Sequence, residues 1–283
     1  MHIKYSKYIS DIYTPGVFAD FLLGKNITKS ISILRKTGII NLNEKLSIRN
    51  VYKRIYSFLS KNYRSEEFYK SILYSKIILP QMEEETDTIL SELRISNSKA
   101  DLTMFNGKSV GYEIKSELDK PVRLKTQISD YLSFFQYSYL VSHKTFIENY
   151  SEDLPKSIGI ICVNRNGSVE IVKKAIDNTD NLSHSALFNT LRKPEYSDII
   201  EKYYNYIPRV PNGIFFKECK KLFDKIPINV ANALSVDSLK RRRVSSSISY
   251  IKKLPIYLQY LVYRSDLNQE ALKKLNSFVE EKI

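Results

Sequence analysis

The stretch Lys99-Ala-Asp101-Leu-Thr-Met-Phe-Asn-Gly-Lys-Ser-Val-Gly-Tyr-Glu113-Ile-Lys115 puts two carboxylates and an ammonium on two short strands and the turn between them. Alternation places Glu113 and Lys115 on one face of their strand and Tyr112 and Ile114 on the other. Asp101, Thr103 and Phe105 share a face of the preceding strand. Charged residues on strands that otherwise read as buried are unusual. Two carboxylates can ligate Mg²⁺ or Mn²⁺ through oxygen. A lysine two residues along can reach a water on that ion, and orient it or stabilise charge beside it. The competing interpretation is a structural salt-bridge cluster in the sheet.

Hairpin parity tests the metal interpretation. A two-residue turn at Asn106-Gly107 would set Asp101 opposite Tyr112, facing away from Glu113. A three-residue loop, Phe105-Asn106-Gly107, puts both acids on one face, with Gly107 in the left-handed position. Convergence of the acids therefore requires a loop of odd length.

Glu-x-Lys alone is a weak signal, because Glu218-Cys219-Lys220 and Glu280-Glu281-Lys282 repeat it in helical patterns that read as surface charge. Only the copy at 113–115 sits on an apolar strand with an Asp-bearing partner. It is also followed by Gln127 and Tyr131, four apart and so on one face of a helix.

The elements that must position these residues follow from periodicity. Residues 1–64 read as a helical region, with Val51, Ile55, Phe58 and Leu59 at helical spacing. The spacing predicts a helix from Glu66 to Leu79, with Ser65 as N-cap, acids in its first turn and Pro80 at its end. From Thr88 the period changes to two. Ile89, Leu93 and Ile95 mark one strand, Ala100–Phe105 and Val110–Lys115 two more. A helix is predicted over Leu124–Phe135, then strands over Tyr137–Val141, Ile158–Val163 and Val169–Val172. Residues 65–175 thus form a predicted core. Residues 176–283 read as helical again, interrupted by prolines.

The combination Asp101, Glu113-Ile-Lys115 and Gln127-x-x-x-Tyr131 resembles the PD-(D/E)XK, or restriction-endonuclease-like, nuclease superfamily in its RecB-like branch. Ser-Lys-Ala-Asp101, Tyr-Glu113-Ile-Lys115-Ser-Glu-Leu-Asp119 and Arg123-Leu-x-x-Gln127 are similar to a bacterial group of largely uncharacterised members. The resemblance covers roughly a third of the chain, from Glu66 to about His143. It implies an α/β fold: an αβββαβ core around a central mixed sheet, with helical N- and C-terminal extensions. It implies a Mg²⁺- or Mn²⁺-dependent phosphodiesterase site. Asp101, Glu113 and the Ile114 carbonyl would be the ligands, and Lys115 would position or activate the attacking water. Gln127 and Tyr131 would orient Lys115 or a phosphate. Glu66 and Glu92 are candidates for an additional acid. Ala100 replaces the proline that usually precedes the aspartate, which alters only local backbone preference. The implied partner is nucleic acid, DNA in the first instance, in defence against foreign DNA or in a mobile element. Cutting both strands with two active sites would favour a homodimer. The alternatives are a catalytically silent nucleic-acid-binding protein and an interaction component of a defence or anti-defence complex.

Composition agrees with a basic, core-forming protein. The 283 residues are 43% apolar and 27% charged, with 44 Lys and Arg against 31 acids, a net charge of +13. Residues 1–75 hold 13 basic and 5 acidic side chains, residues 76–175 hold 13 and 14, and residues 176–283 hold 18 and 12. Basic flanks attract polyanions, and an acid-rich centre can hold a cation. Lys240-Arg241-Arg242-Arg243 is either a phosphate contact or a solvated helix end. Glu83-Glu84-Glu85 reads as a solvated loop. His2, His143 and His184 are scattered and lack a triad or HExxH context. With 8 glycines there is no phosphate loop. Cys162 and Cys219 read as buried thiols, with no zinc spacing. The N-terminus lacks a signal-peptide apolar run and no stretch would span a bilayer, so a cytoplasmic protein without membrane contact is expected.

Overall fold

A computed structural model describes the chain except residues 1–2, 26, 84–85, 243–246, 266, 268–274, 276 and 283. Arg243, Glu84, Glu85 and His2 thus lie outside the described residues.

Five helices lead the chain: α1 (Ile3–Ile12), α2 (Pro15–Leu22), α3 (Ile27–Lys36), α4 (Ile48–Asn62) and α5 (Glu66–Leu73). α4 forms where the helical spacing predicts one. Val51, Ile55 and Leu59 make its buried stripe, and the Ser47 hydroxyl caps it by accepting from Asn50 N–H. α5 continues as a π-helical turn over Tyr74–Ile78 and a 3₁₀ turn over Leu79–Gln81. Pro80 sits inside that last turn, where its missing N–H removes no helical bond.

The sheet has six strands in sequence order: β1 (Thr88–Ile95), β2 (Ser98–Phe105), β3 (Ser109–Lys115), β4 (Tyr137–Ser142), β5 (Gly159–Val163) and β6 (Val169–Lys173). β1, β2 and β3 form an antiparallel meander, β4 and β5 add in parallel, and β6 closes the far edge antiparallel. The parallel step from β3 to β4 needs a crossover, which α6 (Leu124–Phe134) supplies. α7 (Lys144–Tyr150) links β4 to β5. The chain is thus α/β with a mixed sheet. Helices α8 (His184–Thr190), α9 (Lys193–Tyr204), α10 (Asn212–Phe223), α11 (Ile228–Lys240), α12 (Ile248–Lys253) and α13 (Ile256–Arg264) follow. No helix among the described residues is long and apolar enough to cross a membrane.

The two faces of the sheet build two cores. On one, Leu102, Met104, Tyr112 and Ile114 pack with α1–α5 and with α12 and α13. On the other, Phe105 and Ala100 pack with Tyr131 and Phe134 of α6 and with α8–α11. The N-terminal helices and the last C-terminal helices therefore share one core. Cys162 and Cys219 are buried and unpaired.

The first strand departs from its expected alternation. Ile89 belongs to the first core, while Leu93 and Ile95 belong to the second. Glu92, between them, has φ 55°. That left-handed residue switches the side to which the following residues point, so one period-two set of apolar residues does not run the length of β1.

Gly159 is required by contact. A Cβ there would lie 2.3 Å from the Tyr139 ring and 2.6 Å from the Ala175 backbone nitrogen. Gly159→Ala is expected to destabilise the protein by about 1–3 kcal/mol through overpacking against immovable backbone. Urea unfolding measures this, and an unchanged midpoint would show that the β5 contact relaxes freely.

Candidate metal centre

β2 and β3 are paired from Phe105 opposite Ser109 to Leu102 opposite Tyr112. The loop between them, Asn106-Gly107-Lys108, has three residues, and Gly107 takes φ 87°. Its odd length meets the parity requirement, but it lies one residue later than the expected Phe105-Asn106-Gly107. Continuing that register one step sets Asp101 opposite Glu113.

At this step the regular ladder stops and a side chain from α6 enters. The Tyr131 hydroxyl accepts from Asp101 N–H at 3.2 Å and donates to the Tyr112 carbonyl at 3.3 Å. The Asp101 carboxylate reaches across to accept the Ile114 N–H at 2.7 Å through Oδ2. N–H and C=O of one residue leave an extended strand on the same side, so the Ile114 carbonyl faces this fork as well. Tyr131→Phe would leave a buried N–H and a buried carbonyl without partners, at a cost of about 1–3 kcal/mol. Chemical denaturation of the Phe variant reads this, and a loss below about 0.5 kcal/mol, within the range of an ordinary surface substitution, would contradict the bridging role.

Four elements bring acids to the fork. Glu113 on β3 is fully buried, and its Oε1 receives the Lys115 ammonium at 2.5 Å. Among the described residues no donor is aligned with its Oε2, although the Tyr131 hydroxyl is close enough to act on the carboxyl. Glu66 at the start of α5, Glu92 on β1 and Asp101 on β2 each offer a carboxylate oxygen, and these oxygens lie within 4.8 Å of one another. Glu92 sits across from Asp101 in the β1–β2 register, between the pairs Ser91–Leu102 and Leu93–Ala100. Its left-handed backbone costs about 1–2 kcal/mol for a residue with a side chain, a strain that favours a local role over a default conformation.

The electrostatics follow from this crowding. Burial, then Glu113 and Glu66, push the Asp101 carboxyl well above its ordinary range. Burial also raises Glu113, and Lys115 pulls it partly back. Burial, followed by the charges of Glu113 and Asp101, pushes the Tyr131 phenol up. The fork holds more negative charge than its own cations neutralise, which suits a hard divalent ion with oxygen ligands.

Of the residues singled out in the sequence, Asp101, Glu113, Lys115, Tyr131, Glu66 and Glu92 meet here. Gln127 is half-buried, among the described residues its Oε1 has no hydrogen-bond partner, and the Lys115 ammonium bonds Glu113. Tyr131 bridges backbone groups and makes no hydrogen bond to Lys115. Sequence reasoning overlooked Lys70. It is buried on α5 with its ammonium 2.6 Å from Glu66, 3.2 Å from Glu67 and 3.2 Å from Glu92. The signal was present as Glu66-Glu67-x-x-Lys70, whose spacings of three and four pair residues on a helix.

All these residues fall inside a match to the family described as Bacteriophage P4 protein cII, which extends over residues 59–275 and so over well more than half of the chain. The chain belongs to this family. Protein cII of Enterobacteria phage P4 is 24% identical over 204 residues, spanning 68% of this chain and 74% of the phage protein. Among solved structures, a protein of unknown function from Silicibacter pomeroyi is 21% identical, over 32% of this chain and 61% of its own, with a TM-score of 0.26. The cII-family match begins at the end of α4 and takes in the whole sheet, the fork and the helices behind it.

Proposed function

We propose that this cII-family chain is a metal-dependent nuclease that hydrolyses phosphodiester bonds in DNA, on a restriction-endonuclease-like core. The observation that carries the reading is the fork itself. Asp101, Glu113 and Lys115 meet where β2 and β3 part, and Tyr131 holds the opening. The element order α5–β1–β2–β3–α6–β4, with β3 and β4 parallel, supports the same core.

The donor set fits Mg²⁺ or Mn²⁺. Among the described residues Asp101 uses only Oδ2, Glu113 Oε2 has no aligned donor, and the Ile114 carbonyl faces the same space. These three groups would hold the ion, which when bound lowers the pKa of water and polarises the scissile phosphate. Lys115 supplies a fixed ammonium beside that position. Held by Glu113 at 2.5 Å, it can orient an attacking water and offset charge that develops on phosphate oxygen. An open cleft of about 510 Å³ next to Glu92 is lined by Arg94, Arg192, Arg241 and Arg242. Arg242 is bound to Glu195 and Arg241 to Asp198, while Arg94 and Arg192 are exposed. Guanidiniums in such a cleft suit backbone phosphates without reading sequence.

One observation favours a rival. Lys115 and Lys70 already pair with the acids, as they would in a structural ion-pair cluster of a silent binding or interaction protein. The test is incubation of the purified chain with plasmid and single-stranded DNA in Mg²⁺, Mn²⁺ or EDTA. Metal-dependent cutting supports the nuclease. Binding without cutting in every metal supports the silent protein and refutes the proposal.

A further inference from the structure

The acids at the fork divide into two sets that share Asp101. One set is Asp101 and Glu113, with Lys115 on Glu113 Oε1 and, among the described residues, no donor aligned with Oε2. The other is Glu66, Glu92 and Asp101, whose oxygens stand close enough to surround a single cation. That second set already has a cation. Lys70 lies against Glu66 and Glu92, two of its three members, and against the neighbouring Glu67. Its side chain is 5% exposed, so it cannot swing into solvent without emptying a buried place.

We infer that Lys70 is the resident cation of this second position, so that the fork takes one divalent ion, between Asp101 and Glu113, and not two. The inference rests on the metal reading above and deepens it by giving the stoichiometry. The Lys70 ammonium is held by both Glu66 and Glu92, so a divalent ion on those oxygens would have to displace it, whereas Lys115 occupies only Oε1 of Glu113. Burial alone would lower the Lys70 pKa, but the Glu67 and Glu66 carboxylates outweigh it and hold the group charged. The arrangement also assigns Glu66 and Glu92. They hold Lys70, and through it α5, against β1, and they are positioning residues rather than ligands of the ion.

The test is Mn²⁺ binding to the full chain stripped with EDTA, by calorimetry and by counting bound ions with electron paramagnetic resonance. The unaltered protein is expected to bind one Mn²⁺, Lys70→Met two, and Lys70→Arg one. In the otherwise unaltered chain, Asp101→Asn is expected to lose about tenfold or more in Mn²⁺ affinity, and Glu92→Gln less than about twofold. Two ions in the unaltered protein, or one in a Lys70→Met protein with native near-ultraviolet circular dichroism, would overturn the inference. Should Lys70→Met not fold, the Asp101 and Glu92 variants decide, and equal losses refute it. Absence of any Mn²⁺ binding overturns the metal reading itself, whereas two ions in the unaltered chain leave that reading standing.

Discussion

Plasmid DNA incubated with Mg²⁺ and the Lys115→Ala protein is expected to stay intact under conditions in which the unaltered chain cuts it. On the proposed reading the loss in rate is about a hundredfold to a thousandfold, the usual cost of removing one fixed donor from a site where charge develops. Lys115 is 8% exposed, and among the described residues its ammonium bonds the fully buried Glu113 alone. Its removal strands a carboxyl in the core. Burial then pushes that carboxyl further toward its neutral form, so its value as a ligand falls together with the missing ammonium. Near-ultraviolet circular dichroism and an unfolding curve separate this from simple misfolding. A folded alanine variant that nicks DNA at the unaltered rate would remove Lys115 from the reaction.

The second large effect is on stability. The Asp101 carboxyl is held well above its ordinary range by burial, Glu113 and Glu66. An acid raised in the folded state binds its proton more tightly there than in the unfolded chain. The sign follows: the penalty is absent below the unfolded pKa of about 4. It grows as pH rises above that value and is complete once pH passes the folded pKa. Metal-free protein should therefore lose stability from this group between mildly acid and alkaline pH. Asp101→Asn keeps an acceptor for the Ile114 N–H and removes the charge. The metal-free Asn variant is expected to melt higher than the unaltered chain at pH 8 and to lose that advantage near pH 4, which thermal unfolding at the two pH values measures. Mn²⁺ is expected to raise the melting temperature of the unaltered chain at pH 8 and to leave that of the Asn variant unmoved. Equal metal-induced shifts in both would exclude Asp101 as a ligand.

The two effects run in opposite directions, and that opposition is informative. A structural salt-bridge cluster loses stability when a member is removed. A site arranged around an ion gains stability in its metal-free form when one uncompensated carboxylate is neutralised. Lys115 and Asp101 lie on adjacent strands, yet the first is paired within the protein and the second is not fully compensated.

Much of the fold could be read along the chain because it depends on local periodicity. The first three strands, α6 and the strand β4 follow from the switch between helical and two-residue spacing, while the parallel direction of β4 does not. The demand that Asp101 and Glu113 share a face required an odd loop, and the loop is odd. The one-residue offset, to Asn106-Gly107-Lys108, comes from Gly107 taking φ 87° at the centre of the loop instead of its end. Glu113-Ile-Lys115 stood out because charge on a buried strand is costly and so calls for a reason.

What spacing along the chain did not determine is how distant segments meet. Glu66 and Lys70 come from a helix more than twenty residues before Glu92. Their encounter depends on how α5 packs across the sheet, which no period in the sequence encodes. The left-handed turn of Glu92 is equally hidden, because a non-glycine residue adopts it only when surrounding contacts impose it. The merging of α1–α5 with α12 and α13 into one core was likewise decided by burial of apolar faces across the whole molecule. Local backbone preference thus set the strands and the residues on them. Packing over long range decided which charges face one another, because side chains far apart in sequence interact only after the core has closed.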